Sequence, residues 1–218
     1  EKFDPGCSLN VEHLLFWCGH KFFEGEWSGV KLVVGLGNPG LRYRDTRHNV
    51  GFWALDQLAE DLGASSARFF KNALIHDARL AGEKIILAKP QSFMNRSGYP
   101  VRDILAYFKI SPGDLIVIHD DMDIEVGRLR IRDGGGHGGH RGVASIVELI
   151  GDRDFCRLKI GIGRPPEGFE PSDYVLSTFK GKSREIMRDV ISVSSLAFTS
   201  IITEGLETAM NKYNSYGK

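Results

Sequence analysis

Apolar residues along this chain recur with two different periods in alternation. Lys31-Leu-Val-Val34 reads as a buried strand that stops at the glycine-rich turn Gly35-Leu-Gly-Asn-Pro-Gly40. From Asn49, the expected cap, Phe52, Trp53, Leu55, Leu58, Ala59 and Leu62 repeat at helical spacing up to Gly63. Leu74 to Leu80 and Glu83 to Ala88 read as two strands joined across Ala81-Gly82, with Ile85 to Ala88 the more buried. A polar loop, Gln91 to Gly98, leads into an amphipathic helix with Val101, Ile104, Leu105 and Phe108 on one face, ended by Pro112 and Gly113. Asp114 to Ile118 forms an apolar strand running into His119, Asp120, Asp121 and Asp123. Arg128 to Arg132 alternates charged and apolar side chains, so its three arginines should share one wet face. The loop Gly134 to Gly142 precedes a helix around Ile146, Val147, Leu149 and Ile150, and Phe155 to Gly163 adds a strand broken by Arg164-Pro165-Pro166. From Lys182 a long helix runs onward, with Asn211 to Lys218 expected to fray. Strands alternating with helices imply an α/β three-layer domain whose sites gather at strand ends.

Residues 1–30 follow neither period. They are expected to be an N-terminal extension outside the fold, translated upstream sequence with Val30 at the position of a non-AUG start; a partner-binding arm is the alternative. The domain then spans residues 31–218, within the range of a single core. The 28 basic and 28 acidic residues cancel, so a nucleic-acid partner must be held by a local basic patch. Cys7, Cys18 and Cys156 have no metal-binding spacing and suit a reducing compartment. No apolar run in the sequence approaches a membrane span of roughly 20 residues.

The turn matches G-x-G-x-x-G, the signature of a dinucleotide fold. That fold needs a helix opening at the third glycine, whereas Leu41 to Arg47 intervenes here, which disfavours a nicotinamide-binding oxidoreductase. His48 in the following loop, with Asp120 at another strand end, suggests an imidazole base oriented by a carboxylate. With no serine or cysteine nucleophile evident, water becomes the attacking group. Asp120, Asp121, Asp123, His137 and His140 could instead hold a divalent metal, but without a recognised spacing. Asn38, Asn49 and Asn95 are turn formers individually. Together they offer neutral amides for a peptide backbone and an oxyanion. Arg128, Arg130, Arg132, Arg141, Lys159 and Arg164 surround the glycine loop as a phosphate-binding strip.

Five motifs, in order, resemble those of bacterial-type peptidyl-tRNA hydrolases: Gly35 to Gly51, Phe93-Met-Asn-Arg-Ser-Gly98, His119-Asp-Asp-Met-Asp123, Gly134-Gly-Gly-His-Gly-Gly-His140 and Arg157-Leu-Lys-Ile-Gly-Ile-Gly-Arg-Pro165. The resemblance covers about residues 31–215. It implies an α/β/α sandwich around a mixed, mostly parallel sheet, in a monomeric, cytoplasmic enzyme that needs no cofactor or metal. Its implied substrate is peptidyl-tRNA, engaged at the acceptor stem and 3′ end. The resemblance assigns the base to His48, its orientation to Asp120, and peptide and carbonyl binding to Asn38 and Asn95. Tyr43 and Met94 match pocket positions, while Arg130, Arg132 and Lys159 match contacts to the tRNA backbone. The chain departs from the family at Arg141, where asparagine is usual. Arginine offers donors only, so it is expected to meet a phosphate or a peptide carbonyl. A non-catalytic tRNA-binding module is the rival reading.

Overall fold

The computed structural model describes residues 29–217. Seven strands form one sheet: β1 (Val30–Gly35), β2 (Arg68–Phe70), β3 (Ala73–Leu80), β4 (Glu83–Pro90), β5 (Leu115–Asp121), β6 (Leu129–Asp133) and β7 (Cys156–Gly161), in the order β2-β3-β4-β1-β5-β7-β6. The four central strands β4-β1-β5-β7 are parallel, while β2 and β3 at one edge and β6 at the other join antiparallel.

Alternation along the central strands builds two cores. Val33, Leu87, Ile116, Ile118 and Ile160 face one layer, made by α1 (Val50–Asp61), α5 (Lys182–Thr203) and α6 (Leu206–Tyr213). Leu32, Val34, Ile86, Ala88 and Val117 face the other, made by α2 (Gly98–Phe108) and α3 (Arg141–Ile150). Both faces of the inner strands are therefore apolar, as a covered parallel sheet requires. A short helix, α4 (Pro171–Val175), buries Tyr174.

Close glycine packing fixes where the site lies. A Cβ on Gly35 would come 2.3 Å from the Gly51 carbonyl oxygen, and one on Gly51 would come 2.5 Å from that of Ile118. The start of α1 is thus pressed against the ends of β1 and β5, which carries the preceding His48 over the end of β5. Close backbone packing, and not room for a ligand, is what requires glycine at these two positions. Gly37 likewise faces the Phe52 ring, and only Gly40 of the three turn glycines has positive φ.

Other boundaries also differ from the sequence pattern. Val30 belongs to the sheet, pairing with Lys84, whereas the expectation for residues 1–28 lies outside the described residues. Helix α2 ends at Phe108, before Pro112. Lys109 turns left-handed (φ 56°) and the Ile110 amide bonds the Leu105 carbonyl at 2.9 Å, while the Ile110 side chain buries itself. Strand β5 begins after Asp114 and continues through Asp121. The C-terminal helix breaks at Gly205 (φ 91°) into α5 and α6. Nor does the end fray from Asn211: α6 reaches Tyr213, and the Asn214 side chain accepts from the Ile131 amide at 2.6 Å and donates to its carbonyl at 3.2 Å. Asn214 thereby covers edge-strand groups of β6. Helix α5 is long and apolar enough to cross a membrane by length and composition, contrary to the sequence reading. Its apolar face, including Met187, Val190, Ala197 and Phe198, is buried within the core.

Candidate active site

The ends of β1 and β5, the turn after β4 and the start of α3 enclose a cleft of about 490 Å³. Asn38 enters from the turn after β1, where its backbone is clamped. Asn49 Oδ1 accepts from the Asn38 amide at 2.8 Å, and Asn49 Nδ2 donates to the Asn38 carbonyl at 3.0 Å. Asn49 therefore occupies the helix-cap position of α1 without capping it through its side chain. Asn38 Oδ1 in turn accepts from the Met94 amide at 2.8 Å, which leaves Asn38 Nδ2 as the donor toward the cleft.

Asp120, at the end of β5, is the centre of the hydrogen-bond network. One of its oxygens, Oδ1, lies 2.8 Å from His48 Nδ1 and 3.0 Å from His140 Nε2. His140 is the residue before α3, and its Nδ1 accepts from the amides of Gly142 and Val143 at 3.2 and 3.3 Å. With Nδ1 an acceptor, neutral His140 must carry its proton on Nε2 and donate it to Asp120. Burial alone would raise the Asp120 pKa, but His48 and His140 together hold it well below the usual carboxylate range. The buried carboxylate thus also fixes the proton of neutral His48 on Nδ1, leaving the Nε2 lone pair available.

His119 does not join this pair through its ring. Its Nδ1 donates to the Asp120 carbonyl at 2.7 Å, while Nε2 is buried without a hydrogen-bond partner among the described residues. Burial first, then the neighbouring His140, lowers its pKa well below that of ordinary histidine. His48, Asp120 and His140 form a potential metal-donor cluster, with their ligand atoms within 4.8 Å of one another. The donor chemistry favours the hydrogen-bond network: the protonated Nε2 that the His140 cap enforces has no lone pair to offer a metal.

The predicted residues divide between cleft and periphery. His48, Asn38, Met94, Asn95, Asp120 and Arg141 line the cleft, with Asn95 and Arg141 exposed at its rim. Tyr43 stands behind the lining, edge-on to Phe93 at a centroid distance of 6.4 Å. Arg130 and Arg132 are exposed on edge strand β6, opposite Lys159 and Arg157 in register. Three other members of the expected basic strip have protein partners of their own. Arg128 precedes β6 and bonds the Gly217 carbonyl at 2.9 Å, Arg164 pairs with Asp123 at 2.6 Å, and Lys159 pairs with Asp121 at 3.0 Å. Arg157 is buried, with Nη1 donating to the Gly136 carbonyl at 2.5 Å, so it anchors the glycine loop.

Sequence reasoning missed two supports, Asn49 as the clamp on Asn38 and His140 as the second donor to Asp120. The available signal for His140 was its place between a glycine loop and an apolar helix, where a side-chain acceptor meets free amides. Among the described residues, Ser172 is the only hydroxyl lining the cleft, and no serine or cysteine is hydrogen-bonded to His48.

The peptidyl-tRNA hydrolase family model matches residues 32–218. A peptidyl-tRNA hydrolase of Brevibacillus brevis is 41% identical over 189 residues, covering 87% of this chain and 100% of the relative. One from Alkaliphilus metalliredigens is 45% identical over 183 residues, covering 84% of this chain and 98% of the relative. The crystal structure of peptidyl-tRNA hydrolase from Acinetobacter baumannii superposes with a TM-score of 0.81 at 34% identity, covering 87% of this chain and 96% of that one. Matched in both sequence and backbone over nearly the whole described domain, the chain belongs to the peptidyl-tRNA hydrolase family.

Proposed function

We propose that this cleft hydrolyses the ester between a peptide and the 3′ end of tRNA, with water as nucleophile, and so recycles peptidyl-tRNA released prematurely from ribosomes. The observation that carries the mechanism is Asp120 accepting from both His48 and His140, which leaves His48 Nε2 as a base. His48 takes a proton from water as its oxygen bonds the ester carbonyl carbon. Asp120 stabilises the resulting imidazolium. The amides of Asn38 and Asn95 bind the peptide and the tetrahedral oxyanion. As the carbon–oxygen ester bond breaks, His48 returns the proton to the departing ribose oxygen.

Met94 forms the floor beside the peptide, with Tyr43 supporting the neighbouring Phe93. Arg141 reaches a phosphate or a peptide carbonyl from the rim. Arg130, Arg132 and Lys159 bind acceptor-stem phosphates, so the tRNA lies toward the β7–β6 edge. The mechanism needs no cofactor. A monomer in the cytoplasm is the setting this reading assigns to the enzyme, in line with the family's role in translation.

The acids of the cleft also favour a blocked amino group. Asp120 is engaged by two histidines, Asp121 by Lys159 and Asp123 by Arg164, leaving none of these three unpaired for an α-ammonium. The test is hydrolysis of N-acetyl-aminoacyl-tRNA by the wild type and His48→Ala, with chelator present. Rapid wild-type cleavage and at least a 10²-fold loss in the variant are expected. Full activity of His48→Ala, or abolition of wild-type activity by chelator, would overturn the mechanism. Equal cleavage of unblocked aminoacyl-tRNA would overturn the peptide preference.

A further inference from the structure

Phe93 stands between the active-site cleft and a second hollow of about 350 Å³, and lines both. Pro39, Asn72, Gln91, Arg96 and Tyr99 form much of the rest of this hollow. It begins directly behind the Asn38–Met94 hydrogen bond, because Pro39 follows Asn38 and Phe93 precedes Met94. The backbone there is tied down, with the Gln91 amide bonding the Asn72 carbonyl at 2.8 Å.

Its chemistry is aromatic and cationic. Phe93 and Tyr99 are 58% and 46% exposed, leaving large ring surfaces open to a partner. The Arg96 guanidinium lies 5.8 Å from the Tyr99 ring centroid. Among the described residues, Arg96 has no carboxylate within ion-pair distance, and no acidic residue lines the hollow.

Topology gives the hollow a direction. Gln91 follows β4 and Asn72 precedes β3, whereas Arg130 and Arg132 lie on β6 at the opposite edge. Strands β1 and β5, which lead to Asn38 and Asp120, run between them. A substrate with its tRNA at β7–β6 and its ester beside His48 directs its peptide toward the β4 side. We propose that the hollow is a peptide subsite for a side chain upstream of the ester-linked residue, with Arg96 favouring a carboxylate and Phe93 and Tyr99 supporting its stem. This assignment rests on the ester-hydrolysis reading above.

The test uses N-acetyl-tetrapeptidyl-tRNAs with Glu or Lys at the second, third or fourth residue from the ester and alanine elsewhere. Wild type, Arg96→Ala and Arg96→Glu are compared by the Glu-to-Lys ratio of kcat/KM, a ratio within each enzyme that cancels general losses from substitution. At one position, wild type should favour Glu by about ten-fold, as roughly three-fold attraction combines with roughly three-fold repulsion at an exposed ion pair. The ratio should fall toward one in Arg96→Ala and invert in Arg96→Glu. A flat ratio at every position in wild type would overturn the subsite. So would an unaltered ratio in both variants, or weakened binding of deacylated tRNA by Arg96→Glu with no change in ratio, which would place a nucleotide in the hollow. Failure of wild type to cleave N-acetyl-aminoacyl-tRNA would instead remove the ester-hydrolysis reading itself.

Discussion

Replacing Asp120 by asparagine keeps the shape at the end of β5 and removes its charge. The native carboxylate is buried, and its one oxygen takes hydrogen bonds of 2.8 Å from His48 and 3.0 Å from His140. In the proposed mechanism a positive charge forms on His48 only after it has taken a proton from water, so the lost attraction belongs to the transition state. At a charge separation of about 4 Å and an effective dielectric constant of about 20, that attraction is about 4 kcal/mol. A neutral amide oxygen retains part of it, leaving a loss of about 3 kcal/mol, or roughly 10²-fold in rate. Steady-state hydrolysis of N-acetyl-aminoacyl-tRNA should show this in kcat, with KM within about three-fold because Asp120 lies beneath the histidines. Circular dichroism and urea unfolding would establish that the fold persists. A kcat loss below about five-fold, or a loss confined to KM, would refute the electrostatic role.

His140→Phe removes both a donor to Asp120 and the acceptor at the start of α3. Urea unfolding should report a loss of about 1–2 kcal/mol and kinetics a loss of about ten-fold in kcat, while His140→Asn recovers more stability than activity because asparagine can cap but places its donor elsewhere. Arg130→Ala combined with Arg132→Ala should weaken tRNA binding and reduce the slope of log affinity against log salt by about two; an unchanged slope would place the phosphates elsewhere. Because burial lowers the His119 pKa, the unfolded chain binds its proton first, and this residue contributes stability that declines as pH falls below about 6.5. His119→Asn should flatten the fall in unfolding free energy from pH 6.5 to 5 by up to about 1.4 kcal/mol per pH unit, measured by denaturant titration at each pH.

Much of the architecture was legible because β1, β4 and β5 carry dense apolar runs and α1 keeps one helical period. Strand β2 was not, since Arg68-Phe69-Phe70 is short and its assignment depends on pairing with β3. The capture of β6 by Asn214 was hidden as well: local polarity suggests fraying, while the side chain's partner lies 83 residues away. At the site, strand-end chemistry identified His48 and Asp120 across a separation of 72 residues. Asn49 and His140 were obscured because each has a sufficient local explanation, as a helix cap or loop residue, and their longer-range bonds appear only once the chain folds. Arg157 was similarly concealed within an alternating strand, where the glycine loop rather than solvent receives its guanidinium.

In the proposed mechanism, His48 and Asp120 act as one unit through a single hydrogen bond. A double-mutant cycle tests it directly, comparing kcat for wild type, His48→Ala, Asp120→Asn and the double variant on N-acetyl-aminoacyl-tRNA. If Asp120 works through His48, the double variant should match His48→Ala within about two-fold. Multiplication of the two single losses would contradict that dependence.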